Sequence, residues 1–298
     1  MLGLAPATPP NFAAPGTSIL PFVVATTELE DEVNDTSVDG SVTLSYYATD
    51  DILAFATFSQ GTKSGGFTNS ATFGVPFTFE EEVARAVELG IKGGFAEGAG
   101  YFSLTGFYTD IEDFQDSVFD PLGGTLGTGA FVTVSFDAEN YGLEAEARYQ
   151  LTEHIVIGGS ISLLDAEASD TGARLARAPT FTSSWTIDFN RSVTPDFALQ
   201  AGGLLVTNSG QLYRQTPIGA PDIPLNDPIE SGAFQLLDLY AGIRHLKSGA
   251  QFRVEVKNVT DEEYLTFGFP QPLLNAGVNG AFNRPRSVNL SIRVPLGG

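Results

Sequence analysis

The chain has 298 residues, 42% of them hydrophobic and only 17% charged, with 33 Gly, 23 Phe and no Cys. Fifteen Lys and Arg against 36 Asp and Glu give a net charge of −21, which excludes a nucleic-acid partner because phosphate binding needs a basic face. The lack of cysteine excludes disulfides and thiolate metal sites, and no apolar run approaches the roughly 18 residues of a membrane helix.

Residues 1–40 read as irregular. They open Pro-rich, without the basic lead and unbroken apolar run of a signal peptide, and continue into the acidic TELEDEVND (27–35). Alternation with period two begins at 41–49, where Val42, Leu44, Tyr46 and Ala48 share one face, and this predicts a strand. Strands are predicted next over 52–60, 84–95 and 101–116. Over 132–151, Tyr141, Leu143, Ala145, Ala147 and Tyr149 oppose Gly142, Glu144, Glu146, Arg148 and Gln150. After 155–165 comes 180–190, where Phe181, Ser183, Trp185, Ile187 and Phe189 oppose Thr182, Ser184, Thr186 and Asp188. Strands over 197–207 and 234–245 follow. One long strand is predicted over 250–267, with Phe252, Val254 and Val256 on one face. The last, 285–294, carries Val288, Leu290, Ile292 and Val294. Helical spacing is nowhere comparable, so the chain is read as all-β with about eleven strands, each apolar on one side.

The connections alternate. Turns near 50–51, 96–100, 152–154, 191–196 and 246–249 are short, and those at 61–83, 117–131, 166–179, 208–233 and 268–284 are long. A soluble sandwich has no need of that rhythm, whereas a membrane barrel has short turns at one rim and long loops at the other. Most strands also reach the 9–11 residues of a tilted membrane strand. Aromatics near strand ends (Tyr46, Tyr47, Phe107, Tyr108, Phe181, Phe189, Tyr264, Phe267) suit interfacial girdles. A soluble or surface β-sandwich binding module remains the alternative.

Little supports catalysis. His154 falls in a turn and His245 at a strand end, neither in a metalloprotease or nucleophile-elbow motif. The Gly-rich GGTLGTG (123–129) precedes no helix and reads as a loop. Asp110, Glu112, Asp113, Asp116 and Asp120 lack EF-hand spacing and read as a solvated rim. The expectation is no catalytic residue, no cofactor and no metal site, with an outer-membrane barrel enzyme as the third reading.

Seven segments, in order, carry a resemblance. FATFSQGTKSGGF (55–67), VELGIKGGF (87–95), FYTDIEDFQDSVF (107–119), ENYGLEAEARYQLTEHIVIGGSISLLDA (139–166), RLARAPTFTSSW (174–185), VEVKNVTDEEYL (254–265) and NRPRSVNLSIRV (283–294) resemble strands and turns of TonB-dependent outer-membrane receptors. The match is to the C-terminal half of that family's barrel, without its plug domain or N-terminal strands. The resemblance implies an antiparallel transmembrane β-barrel portion, roughly half of a 22-stranded barrel, over 41–298. Residues 1–40 would then be the remnant of an extracellular loop. It further implies a location in the outer membrane of a Gram-negative bacterium. The activity implied is uptake of a scarce ligand, a ferric siderophore above all, energised by the TonB complex through a plug domain. Ligand contact in the family comes from the plug apex, the lumen wall and the extracellular loops, and the rim and loop residues nominated here are Phe67, Phe73, Phe77, Tyr213, Arg214, Phe267 and Phe269. Lys63, Arg214 and Arg284 are the cations able to offset the acidic background there. Arg284 and Arg286 flank Pro285 and read as rim charges paired with carboxylates.

Overall fold

Alternating polar and apolar side chains cannot share one stripe of a helix, but they separate cleanly onto the two faces of an extended chain. The computed structural model describes residues 33, 36–68, 78–120, 130–214, 228–271 and 277–295. In chain order the strands begin with β1 (Gly40–Tyr47), β2 (Ile52–Lys63), β3 (Gly66–Phe67), β4 (Thr78–Phe79), β5 (Glu82–Phe95) and β6 (Gly100–Asp120). Next come β7 (Ala130–Thr152), β8 (Ile155–Ala168), β9 (Ala173–Arg174), β10 (Phe181–Ser192), β11 (Phe197–Asn208) and β12 (Gln211–Arg214). The last are β13 (Ile229–Ser231), β14 (Phe234–His245), β15 (Gln251–Lys257), β16 (Leu265–Gln271), β17 (Gly277–Phe282) and β18 (Ser287–Arg293).

Eleven of these form one antiparallel meander in the order β1-β2-β5-β6-β7-β8-β10-β11-β14-β15-β18. They coincide with the eleven strands predicted from alternation, with one correction. The expected strand over 250–267 is two: β15 pairs with β14 and β18, whereas β16 leaves the sheet and pairs with β17. The break falls where Asn258 and Asp261 adopt positive φ of 50° and 57°, a conformation that Asn and Asp tolerate and β-branched residues do not. The small pairs β3–β4, β12–β13 and β16–β17 all belong to the long connections, so one rim carries tight turns and the other carries every hairpin loop.

Register turns the alternation into two continuous faces. Val42–Phe58–Val87–Tyr108–Tyr141 runs across five strands on one face, and Leu205–Leu237 and Leu239–Val256–Val288 continue it across others. This apolar face is open: Leu44 is 74% exposed, Leu89 60%, Trp185 48% and Leu290 69%. Among the described residues no second sheet covers it, which removes the sandwich reading, since a sandwich buries its apolar face. Two aromatic rows bound the band. Tyr108 and Tyr141 lie toward the long loops and donate hydrogen bonds to Glu139 and Asp165, both at 2.9 Å. Phe95, stacked on Tyr149 at 5.6 Å, lies toward the short turns with Phe102. Tyr141 and Tyr149 are eight residues apart on β7, roughly 26 Å along a strand, or about 20 Å after a barrel-like tilt, close to the height of a membrane band.

Not every expected girdle aromatic lies there. Phe107 is on the polar face, and Tyr264 and Phe267 sit beyond the sheet in the last long connection. Phe107 instead covers a glycine, and this is a repeated device. Phe55 faces Gly90, Phe95 faces Gly100, Phe107 faces Gly142, Trp185 faces Gly159 and Tyr240 faces Gly202, each as direct cross-strand partners. A Cβ on any of these glycines would stand 2.2–2.7 Å from the partner ring. The rings cover backbone that glycine leaves bare, so the abundance of Gly and the abundance of aromatics are one feature of the sheet.

Candidate functional site

The long-loop rim is built from the ends of the strands outward. Leu175, in the connection after β9, folds back so that its N–H reaches Ala166 O at 2.9 Å. It closes a small buried cluster with Ile111, Ala138 and Ala166. The next residues join the neighbouring hairpin, since Arg177 N donates to Leu212 O at 2.7 Å. That hairpin in turn holds the last one: the Tyr213 hydroxyl donates to Leu265 O, and Gly268 packs so close to Ile229 that a Cβ would stand 2.7 Å from it. Three successive long connections are therefore linked side by side into one surface.

The base of the last loop is a polar knot. Asn258, only 5% exposed, receives its backbone position from Asp238 Oδ1, which accepts from Asn258 N at 2.8 Å. Its side-chain amide donates to Glu262 O at 2.8 Å and Arg284 O at 3.2 Å, while its Oδ1 accepts from Glu262 N at 2.8 Å. Asn283 bonds Glu262 O and Tyr264 N, both at 2.9 Å. Arg286 closes the knot through its N–H to Asp261 Oδ1 at 2.7 Å and an ion pair with Asp261 at 3.6 Å. Arg286 thus has the carboxylate partner expected of it; Arg284 contributes its carbonyl.

The nominated residues divide. Tyr213, Arg214 and Phe267 lie on the two joined hairpins, beside the stacked rings of Phe234 and Tyr264, 3.6 Å apart at 7°. Phe269 is on the same strand as Phe267 and pairs with Asn279. Phe67 is elsewhere, on β3, whose surroundings are tied to β6 and β7 by Gln115 and Thr68. Phe73, Phe77, the Gly-rich 123–129 and residues 1–32 lie outside the described residues. Arg214 is 8% exposed, and burial lowers its pKa, but a guanidinium starts so far above neutrality that it keeps its charge. Burial raises the Tyr264 phenol, with Tyr213 adding to the shift, so the Tyr264 ring stays neutral at neutral pH. Lys63 is 3.8 Å from Glu82, and Glu112 is held by Arg85 at 2.6 Å, so both are spoken for within the rim.

Sequence reasoning missed the Asn258 knot, although its residues lie in the quoted VEVKNVTDEEYL and NRPRSVNLSIRV. The signal was available as Asn-x-x-Asp at the end of an alternating run, a pattern that suits a turn with positive φ. It also missed the polar face below. There Tyr240 donates to Asp188, Arg253 lies 3.7 Å over the Tyr240 ring, and Gln251 bonds Gln200 at 2.7 Å. Both histidines sit on the opposite, short-turn rim. His154 is 3.3 Å from Glu153, and His245 Nδ1 is 2.7 Å from Ser248 Oγ within its own turn.

A sequence profile for the family described as "TonB dependent receptor-like, beta-barrel" matches residues 23–259, well over half of the chain. The chain belongs to the TonB-dependent receptor β-barrel family. That family consists of transport receptors rather than enzymes. Solved structures with the same fold include the ferric yersiniabactin uptake receptor FyuA from Yersinia pestis, 20% identical with a TM-score of 0.68. The match covers 86% of this chain and 37% of FyuA. BauA, the ferric preacinetobactin receptor from Acinetobacter baumannii, is 21% identical with a TM-score of 0.63, covering 86% of this chain and 36% of BauA. The copper transporter OprC is 14% identical with a TM-score of 0.66, covering 84% and 38%. The chain therefore spans little more than a third of the length of each of these structures. No curated protein sequence matches it. In membrane barrels the apolar face meets lipid and the polar face lines the lumen; in this chain the polar face carries Tyr240 and Arg253, with the joined hairpins above it.

Proposed function

We propose that this chain forms part of the wall and the ligand-facing rim of an outer-membrane receptor that takes up a scarce ligand, most simply a ferric siderophore, with energy delivered through TonB. The observation that carries this is the joined rim: Tyr213 ties two hairpins together, and Tyr213, Arg214 and Phe267, three of the residues nominated for ligand contact, lie on them. FyuA and BauA, receptors for ferric siderophores, support that cargo class. Residues 41–298 are the wall, and 1–40 an extracellular segment. A plug domain supplied by residues beyond this region makes the TonB contact. The location is the outer membrane of a Gram-negative bacterium, a reading supported by the family and by the exposed apolar band.

The test is uptake of radiolabelled ferric siderophore by cells producing the receptor, with and without TonB. Accumulation that needs both the receptor and TonB is expected; accumulation indifferent to TonB overturns the reading. Tyr213→Phe deletes one hydrogen bond that joins the hairpins, for which about 0.5–1.5 kcal/mol is typical. Apparent affinity in the same assay is expected to fall about 2- to 12-fold with the maximal rate kept. His245→Ala, on the far rim, is expected to leave uptake unchanged; a loss would favour chemistry at that turn instead.

The sheet also predicts its own assembly behaviour. Among the described residues β1 is bonded only to β2 and β18 only to β15, and every residue of β1 is exposed. Unpaired backbone groups facing hydrocarbon cost several kcal/mol each. The 298-residue chain on its own is expected to form mixed oligomers in detergent, and co-production with a strand-supplying partner segment to yield one sharp species. A monodisperse, heat-modifiable monomer of the chain alone contradicts this.

A further inference from the structure

The lipid side of the sheet is not uniformly bulky. Ala145 and Ala147 on β7 and Gly159 on β8 leave a gap, with Ala147 directly opposite Gly159. Phe102, Tyr149 and Trp185 stand around it, and together they line a hollow of about 590 Å³. Trp185 forms its far wall by lying over Gly159, where a Cβ would stand 2.4 Å from the indole. The hollow is in the half of the band nearer the short turns, since Phe102 and Tyr149 lie close to the turn that joins β5 to β6.

Continuing along β10 on the same face come Ile187, Phe189 and then Arg191. Arg191 is exposed and enters no ion pair among the described residues. Of the charged groups in the short turns, Asp196 is paired with Lys247 at 2.6 Å, while Glu153 lies 3.3 Å from His154, a contact that balances its charge only when the imidazole is protonated. Trp185 and Arg191 are six residues apart, roughly 20 Å of strand. An apolar hollow and a cation outside any ion pair among the described residues thus lie on one outward line, the cation at the short-turn end of β10. The opposite boundary of this face is acidic on balance: Asp110, Glu112, Glu139, Asp165 and Glu167 lie there against Arg85, which is paired with Glu112, and Arg174, with Glu139 and Asp165 already accepting from the girdle tyrosines.

We propose that this line is a binding site for one phospholipid of the short-turn leaflet, its acyl chain in the hollow and its phosphate at Arg191. The proposal rests on the outer-membrane reading above. Charge decides the leaflet, because a phosphate is attracted at Arg191 and repelled by the carboxylate row at the other boundary. Bulk decides the position along the sheet, because an acyl chain finds contact on three sides in the hollow and on one side elsewhere.

Cells producing the receptor are grown on a photoactivatable fatty acid and irradiated, and the adducts are mapped by mass spectrometry. Adducts with the mass of a diacyl phospholipid are expected to be at least threefold enriched on 145–149 and 157–161 over the equally apolar positions Phe58 and Leu89. Ala147→Leu, which fills the hollow, is expected to abolish the enrichment, and Arg191→Gln to reduce it at least threefold, with labelling at Phe58 and Leu89 retained in both as the sign of insertion. Uniform labelling, insensitivity to Arg191→Gln, or adducts with the mass of lipopolysaccharide overturn the site and leave membrane placement intact. No labelling anywhere on the face overturns membrane placement itself.

Discussion

Gly142→Val is expected to destabilise the barrel wall by about 3 kcal/mol, roughly a hundredfold in the folding equilibrium, while Gly61→Val changes it by less than about 0.5 kcal/mol. Both glycines are in long strands, so propensity alone favours valine at each. The difference is what a Cβ would meet. At Gly142 it would stand 2.2 Å from Leu163 O and 2.7 Å from the Phe107 ring, whereas at Gly61 nothing lies within 4 Å. A carbonyl in a paired strand cannot turn away as a side chain can, so relief at Gly142 requires β7 and β8 to separate or Phe107 to leave its place. The protein has a single tryptophan, Trp185, on the lipid side of β10, so its emission reports unfolding without added probes. Urea midpoints of the detergent-solubilised receptor measure the difference. Equal midpoints for the two variants would show that the aromatic–glycine pairs are incidental.

That contrast also marks what was legible in the sequence. Alternation is local, and it located all eleven strands of the meander, though not β9 paired to β8, and put Val42, Leu143, Trp185 and Leu290 on the apolar side of their strands before any pairing was known. Register is not local. Phe107 and Tyr108 are adjacent, and nothing in their immediate sequence shows that Tyr108 bounds the lipid band while Phe107 turns inward over Gly142, since that depends on where β6 meets β7. The same holds for the rim. Tyr213 and Leu265 are 52 residues apart, so their hydrogen bond, which makes one surface of two hairpins, has no signature in either segment. Loop length separated the two rims, and only the long-range bonds show which residues of the long-loop rim are joined. Phe67 met the same sequence criteria as Phe267 and sits on a different part of that rim.

The clearest failure of local reading, the expected strand over 250–267, also leads to the second large effect. Val254, Val256, Val259, Tyr264 and Phe267 keep a strand-like composition through the break, and the chain is turned out of the sheet by partners far away in sequence, Asp238 and Arg284. Asn258→Ala is therefore expected to cost about 4 kcal/mol. The side-chain bonds to Glu262 N, Glu262 O and Arg284 O are lost at roughly 1 kcal/mol each, and an alanine is forced into the left-handed region at φ 50°. Asn258→Gly separates the two causes: it loses the same bonds but adopts that φ freely, and it should recover about 1 kcal/mol of the loss. Asn258→Asp keeps the acceptor for Glu262 N but sets a carboxylate oxygen against two carbonyls, and is expected to be no better than alanine. Limited proteolysis of the connection between β15 and β18 should rank the variants in the same order as their urea midpoints. The hairpin carrying Phe267 rests on this knot, so the ranking should extend to ligand affinity. A glycine variant no better than alanine removes the backbone cause, and full stability in all three removes the knot from the physical account of the rim.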